Sequence, residues 1–320
     1  MELQKTNSAA GPSVSSSVNC LADDTYFTTT EQFKDAMRES GIILTDEVIA
    51  DGKIHRFHID GDKPGSLNGW YVLYEDSLPA GAFGSWKLGI SQTWCSKSSG
   101  RLSTSERRIL RGQIVSARKQ EVDQLLKTHT KAAARANSIW DKSRPVINHP
   151  YLKDKQVKAY GIRQNGSNLV IPLRDTTGAL HSLQFIKPNG GKLLLSGGKK
   201  SGHFHLIGDP DDVLLVAEGY STAATLYEAT GYATAMAVDA GNLKPVGRVL
   251  RKKYPLVRIV FCADNDQYGE INTGINKATE AAKAVNGYVA TPIFQDVTTK
   301  PTDFNDLQRL EDLNAIGKIA

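Results

Sequence analysis

The chain has 320 residues, 40% of them hydrophobic and 23% charged, a balance that excludes wholesale disorder and leaves room for two domains. No run approaches the roughly eighteen apolar residues of a spanning helix, and the amino terminus has Glu2 and Lys5 but no apolar leader core, so neither a membrane partner nor a secretory signal is expected. Cys20, Cys95 and Cys262 are too few and too scattered for a disulfide framework or a CxxC zinc site, which predicts a cytoplasmic protein without zinc.

The net charge of +5 is mild, but its distribution is uneven. Between Lys97 and Arg163 there are sixteen Lys and Arg against five Asp and Glu, a local surplus suited to a polyanionic partner.

Residues 1–24 are rich in Ser, Ala and Gly and read as a flexible tail. A β-rich unit over 25–97 follows. It opens with a short helix over Thr30–Ser40 capped by Thr30, then strands at His55–Ile59 and Trp70–Tyr74 around the turn Gly61–Gly65, then the glycine-punctuated stretch Gly81–Gly89. Trp70, Trp86 and Trp94 fall in this unit and read mainly as core, although an exposed ring beside His55, Arg56 and Lys87 would make a stacking platform for bases.

Residues 98–145 form a basic helical segment. Ser103 and Glu106 have capping-box spacing, Ile114, Val115, Val122, Leu125 and Leu126 recur at helical spacing, Arg107, Arg108, Arg111, Arg118 and Lys119 fall on the wetter side, and Pro145 ends the segment. Residues 146–208 read as a basic β-rich subdomain. Its clearest hairpin joins Leu169–Leu173 to Leu180–Ile186 through Asp175–Gly178, and glycines at 190, 191, 197 and 198 lie beside Lys192, Lys199 and Lys200, where backbone can approach phosphates.

Residues 209–320 alternate strand and helix. Strands are expected at Val213–Ala217, Ala233–Val238, Val257–Ala263 and Tyr288–Ile293, with helices at Ser221–Ala229, Lys244–Lys253 and Gly274–Val285. That order predicts an α/β fold, a Rossmann-like parallel sheet with ligands at the strands' carboxyl ends. Acids stand at those ends: Glu218 after the first strand, Asp264 and Asp266 after the third. Side chains at i and i+2 of an extended segment share a side. Three carboxylates gathered in water repel one another, whereas a hard divalent cation with substrate phosphates reconciles them. An isolated DxD would be no more than a polar loop.

Val216–Tyr220, Cys262–Gln267 and Thr302–Leu307 together resemble the Toprim domain of bacterial DnaG-type primases, topoisomerases and some nucleases. His149–Leu152, Tyr160–Arg163 and Leu169–Gly178 are similar to the basic subdomain preceding Toprim in primases, and Gly69–Tyr71 with Phe83–Lys87 resembles sequences of conjugative-plasmid primases. The resemblance is thus to a Toprim-domain DNA primase of plasmid or phage type. It implies synthesis of short RNA primers on single-stranded DNA from nucleoside triphosphates by metal-dependent nucleotidyl transfer.

It also implies Mg²⁺ (or Mn²⁺) on the catalytic Glu218, Asp264 and Asp266, with Asp303 and Asp306 closing the metal site, and Gly219 and Ser221 shaping the turn and capping the helix behind Glu218. Arg163, Arg174, Lys187, Lys192, Lys199 and Lys200 are the candidates for nucleic acid or nucleotide. Neither a zinc ribbon nor a GxxxxGK[ST] loop is present, so unwinding is expected from a separate replicative helicase. Two other readings use the same acids: a Toprim nuclease, and a non-catalytic DNA-binding replication accessory protein.

Overall fold

The structure, a computed structural model, describes residues 28–76, 78–269, 271–313 and 316. The tail read over 1–24, with Cys20, lies outside them. The chain divides into two compact units, Met1–Glu121 and Val122–Ala320.

In the first unit, α1 (Thr29–Glu39) precedes an antiparallel meander of β1 (His55–Phe57), β2 (Gly69–Tyr74), β3 (Ala80–Ser85) and β4 (Ile90–Cys95). The cap of α1 is Thr28 rather than the expected Thr30. Its hydroxyl accepts from the Glu31 amide, and the Glu31 carboxylate accepts from the Thr28 amide, completing a reciprocal box that a start at Thr30 would lack. Phe33 and Met37 pack on Tyr71, Leu73 and Phe83 as the core of this unit.

The tryptophans serve packing. Trp70 is buried and stacks on Trp86, and the Arg56 guanidinium lies over the Trp86 ring at 4.5 Å, itself bonded to the Leu67 carbonyl. An arginine already lies where a base would stack.

A 39-residue helix, α2 (Thr104–Lys142), starts at the predicted capping box. Ser103 Oγ accepts from the Glu106 amide, and Glu106 accepts from the Ser103 amide at 2.8 Å. The buried face is not the one read from the large apolar residues. Val115, Val122 and Leu126 are exposed, while Ala117, Ala132 and Ala136 are buried. Small residues win those positions because the helix backbone lies close to its neighbours: a Cβ on Gly197 would meet the Thr128 methyl at 3.0 Å and Ala132 at 3.8 Å.

The second unit holds two sheets. The antiparallel one runs β5 (Arg144–Pro145), β6 (Arg163–Asn165), β7 (Asn168–Arg174), β8 (Leu180–Ile186) and β9 (Lys192–Leu194), with α3 (Pro150–Lys155) between β5 and β6. The β7–β8 hairpin is the predicted one, its turn held by the Asp175 carboxylate accepting from the Thr177 and Ala179 amides.

The other sheet is built from β10 (His205–Ile207), β11 (Val213–Ala217), β12 (Ala233–Met236), β13 (Arg258–Cys262) and β14 (Tyr288–Ala290). The intervening helices are α4 (Tyr220–Thr230), α5 (Ala240–Lys253) and α6 (Thr273–Val285), and α7 (Phe304–Glu311) follows. Its order is β10-β12-β11-β13-β14, parallel except for β10, so the expected α/β architecture is present.

Strand periodicity explains the layers. Val213, Leu215 and Ala217 face one core with α4, α7 and the β7–β8 hairpin, while Leu214 and Val216 face the other with α5 and α6. Helix α5 begins four residues before the predicted Lys244, because Pro245 lies inside its second turn rather than at its start. The last strand stops at Ala290, and Ile293 beyond it is 83% exposed. Among the described residues no helix is long and apolar enough to cross a membrane.

Candidate active site

Parallel strands deliver their following residues to one end of a sheet. Here β11, β12 and β13 bring Glu218, Asp239 and Asp264 to that end. Glu218 follows β11 and accepts the Ala240 amide, yet its Oε1 is buried without a partner. Burial first, then the charges of Asp266 and Asp239, push its carboxyl up to about 7.

Asp264 lies behind β13 with Oδ1 likewise buried and unpartnered. Burial, then Glu218, Asp303 and Asp266, push it up to about 8. Asp266 is better served: its Oδ2 accepts the Gly274 amide at 3.0 Å, at the start of α6, where the helix favours negative charge. Gly274 is required there, since a Cβ would stand 2.2 Å from the Asp264 carbonyl oxygen. Asn272 fastens the loop, accepting from the Asp266 and Ile275 amides and donating to Asn265.

Asp303 caps α7, accepting the Asp306 amide at 2.8 Å and the Thr222 hydroxyl at 3.2 Å. Burial and then Asp306 raise its pKa. Asp306 itself accepts the Thr302 amide, which closes the same turn. Asp264 is thus within electrostatic reach of Glu218, Asp303 and Asp266, and Glu218 of Asp266, while Asp306 faces a separate hollow with Gln156, Thr299, Pro301, Arg309 and Leu310. In the present side-chain conformations, no three His, Cys, Asp or Glu among the described residues form a closed metal-binding group. The unpartnered, acid-rich oxygens of Glu218 and Asp264 nevertheless fit a hard cation that takes only a few protein oxygens and completes its shell with water and phosphate.

The basic candidates divide. Lys192 of β9 reaches over the Glu218–Gly219 turn, its Nζ 3.4 Å from where a Gly219 Cβ would be, and it lowers the pKa of both Glu218 and Asp264. Lys200 bonds Asp239 at 2.7 Å. Lys187 and Lys199 are exposed. Arg163 and Arg174 turn instead to Trp140 of α2, with guanidinium carbons 4.4 and 5.6 Å from the ring centre, and donate to the carbonyls of Trp140 and Gly178. Ser221 is buried within the first turn of α4, and the cap of that helix is Gly219, without a side-chain bond, so the expected Ser221 cap is replaced by an open helix N-terminus.

Beside the acids lies a cavity of about 590 Å³ lined in part by Tyr151, Lys155, Asn189, Lys192, Ser221 and Asp303. Three contributors escaped the sequence reading: Lys155 and Thr222, which act on Asp303, and Asp239, which acts on Glu218. Asp239 stands at a strand-to-helix junction like Glu218, and that position was its available signal. Just before it, Val238 has φ of +83°, a strained value for a β-branched residue. The turn is held by Asn242, which donates to the carbonyls of Ala237 and His203.

The fold and acids define a class: residues 212–293 match the Toprim domain family. The relatives are more particular. Over 283 residues the chain is 33% identical to a DNA primase TraC of Escherichia coli, covering 82% of this chain and 26% of that protein. A second Escherichia coli DNA primase TraC is 34% identical over 292 residues, covering 85% of this chain and 20% of the relative. The chain therefore spans about a quarter and a fifth of these relatives' lengths. The primase fragment of the bacteriophage T7 primase–helicase protein is 15% identical with a TM-score of 0.40, covering 54% of this chain and 78% of that one. The resemblance to Toprim-domain primases of plasmid type, drawn from the sequence motifs, is borne out by the domain match and the TraC similarity.

Proposed function

We propose that this chain is a catalytic portion of a DNA primase that makes short RNA primers on single-stranded DNA by metal-dependent nucleotidyl transfer. The observation that carries the reading is the pair of buried, unpartnered carboxylate oxygens on Glu218 and Asp264, facing Lys192 beside an open cavity. Such an arrangement is costly until a cation and phosphates complete it.

Glu218, Asp264 and Asp266, with Asp303 in support, would hold Mg²⁺ or Mn²⁺, and Asp306 would steady Asp303. The ion supplies Lewis-acid charge neutralisation for phosphoryl transfer. Lys192 and Lys155 offset the negative charge of a bound triphosphate, and the uncapped amides at the start of α4 add donors for its oxygens. Lys187, Lys199 and Lys200 contact template phosphates. Arg163 and Arg174 act indirectly, by fixing the end of α2. No side-chain nucleophile is needed. A cytoplasmic setting and a separate replicative helicase belong to the same reading.

The test is primer synthesis: purified protein, single-stranded DNA, labelled ribonucleoside triphosphates and Mg²⁺ or Mn²⁺, beside Asp264→Ala. RNA products that vanish in the variant, with DNA binding retained, support the proposal. Cut template without product would establish the nuclease instead. Neither product nor cutting, with DNA still bound, would leave an accessory role.

A further inference from the structure

The carboxyl end of the parallel sheet changes character from one side to the other. Cations stand at the ends of β12 and β11: Lys200 pairs with Asp239, and Lys192 reaches over the Glu218–Gly219 turn. The segments leaving β13 and β14 expose apolar side chains instead. Tyr268 is 41% exposed and Ile271 69% on the loop after β13, and Ile293 and Val297 are exposed on the segment after β14. Single exposed apolar residues are ordinary on a protein surface. Four of them leaving two adjacent strands, beside a set of acids, are a concentration that marks a binding surface.

The loop after β13 is pinned on both sides of Tyr268. The Asn265 amide donates to the Thr302 carbonyl, the Gly269 amide to the Asp266 carbonyl, and Asn272 accepts the Asp266 amide. The Tyr268 hydroxyl accepts from Gln267 Nε2 at 3.0 Å, so the polar tip is engaged while the side chain stays partly open to solvent.

Charge decides what such a surface takes. Residues 264–272 include Asp264 and Asp266 and no lysine or arginine, so a phosphate or an acidic peptide is repelled there. A flat, uncharged base is not. The phosphates of a bound strand go to the side of Lys192 and Lys200, which leaves its bases for the side of β13 and β14. Only unpaired bases have a free face to offer an aromatic ring, and a single-stranded template supplies them. We propose that Tyr268 is a stacking platform for a base of single-stranded DNA beside the acid site. This inference rests on the primase reading and adds to it the side of the site on which bases, rather than phosphates, lie.

The experiment is fluorescence-anisotropy titration of the full chain with a labelled oligothymidylate, and with an oligomer of the same length made of abasic residues, over a series of salt concentrations. Tyr268→Ala should weaken binding of the oligothymidylate about five- to a hundredfold. The salt dependence should stay as in the wild type, because a stacked base releases no counterion. Affinity for the abasic oligomer should be unchanged. Tyr268→Phe, which keeps the ring, should bind both as the wild type does. Lys187→Ala, a phosphate contact in the primase reading, should weaken both oligomers and lower the salt dependence. Tyr268 lies on an exposed loop, so its replacement spares the core, and circular dichroism checks the fold. Unchanged oligothymidylate affinity in Tyr268→Ala, equal losses for the two oligomers, or a loss shared by Tyr268→Phe overturns the platform and leaves the primase reading standing. A wild-type chain that binds neither oligomer overturns both.

Discussion

Asp264→Asn should make the metal-free protein more stable at alkaline pH. A carboxyl whose folded pKa is raised holds its proton more tightly in the native state than in the unfolded chain. Its contribution to stability is therefore complete below about pH 4 and is lost as pH rises through the folded value, here about 8. At roughly 1.4 kcal/mol per tenfold change in proton affinity, a shift from 3.8 to about 8 has a ceiling of about 6 kcal/mol.

Glu218 shares the strain and the two ionise as a coupled pair, so about 2–3 kcal/mol is the expected recovery from one replacement. Asparagine keeps the shape and removes the charge. For a unit of some 200 residues this is a rise in Tm of roughly 5–10 °C at pH 8.5, falling to roughly a third of that at pH 5 and to near nothing below about pH 4, where the carboxyl is protonated in both the folded and the unfolded chain. Thermal unfolding followed by circular dichroism in chelator measures it. Saturating Mg²⁺ should then raise the wild-type Tm at pH 8.5 and leave the variant's largely unmoved. A Tm change independent of pH, or a loss of stability at pH 8.5, would refute the reasoning.

Magnesium binding should release protons near neutrality, because the ion displaces them from Glu218 and Asp264; titration in buffers of different ionisation enthalpy should show tighter binding as pH rises from about 6.5 to 8.5. Gly274→Ala forces a methyl into the Asp264 carbonyl and is expected to cost more than about 2 kcal/mol in urea unfolding, with weakened Mg²⁺ binding. Arg163→Ala should lower stability by about 1–3 kcal/mol, through the lost stack on Trp140 and its carbonyl bond, while changing DNA affinity little. Lys187→Ala should do the opposite, reducing the salt dependence of DNA binding by about one counterion.

The position of Glu218 and Asp264 at the carboxyl ends of neighbouring parallel strands was legible in the sequence. An apolar run ended by an acid, repeated between helices, points to Glu218 and Asp264 once it is combined with the Thr302–Leu307 segment, since a lone DxD reads as no more than a polar loop. What escaped depends on partners distant in sequence. Asp239 matters through Glu218 on the adjacent strand, and Lys155 through Asp303 some 150 residues on. The buried face of α2 is set by how closely other segments approach its backbone, which favours Ala132 and Ala136 over the larger Val122 and Leu126. Arg163 and Arg174 read as phosphate contacts because a sequence shows their charge but not the indole that occupies it. Helix α7 was missed because its cap, Asp303, was read only as a ligand.

The parallel sheet borrows its outer strand from upstream: β10 pairs antiparallel with β12 through His205–Met236, Leu206–Ala235 and Ile207–Thr234. A shortened chain beginning after Ile207 would keep every acid of the site yet leave Ala233–Met236 with bare amides and carbonyls along a flat, apolar edge. Such an edge recruits strands from other molecules. Soluble fragments carrying the acids should therefore begin ahead of β10, and fragments cut just behind it should self-associate through β12.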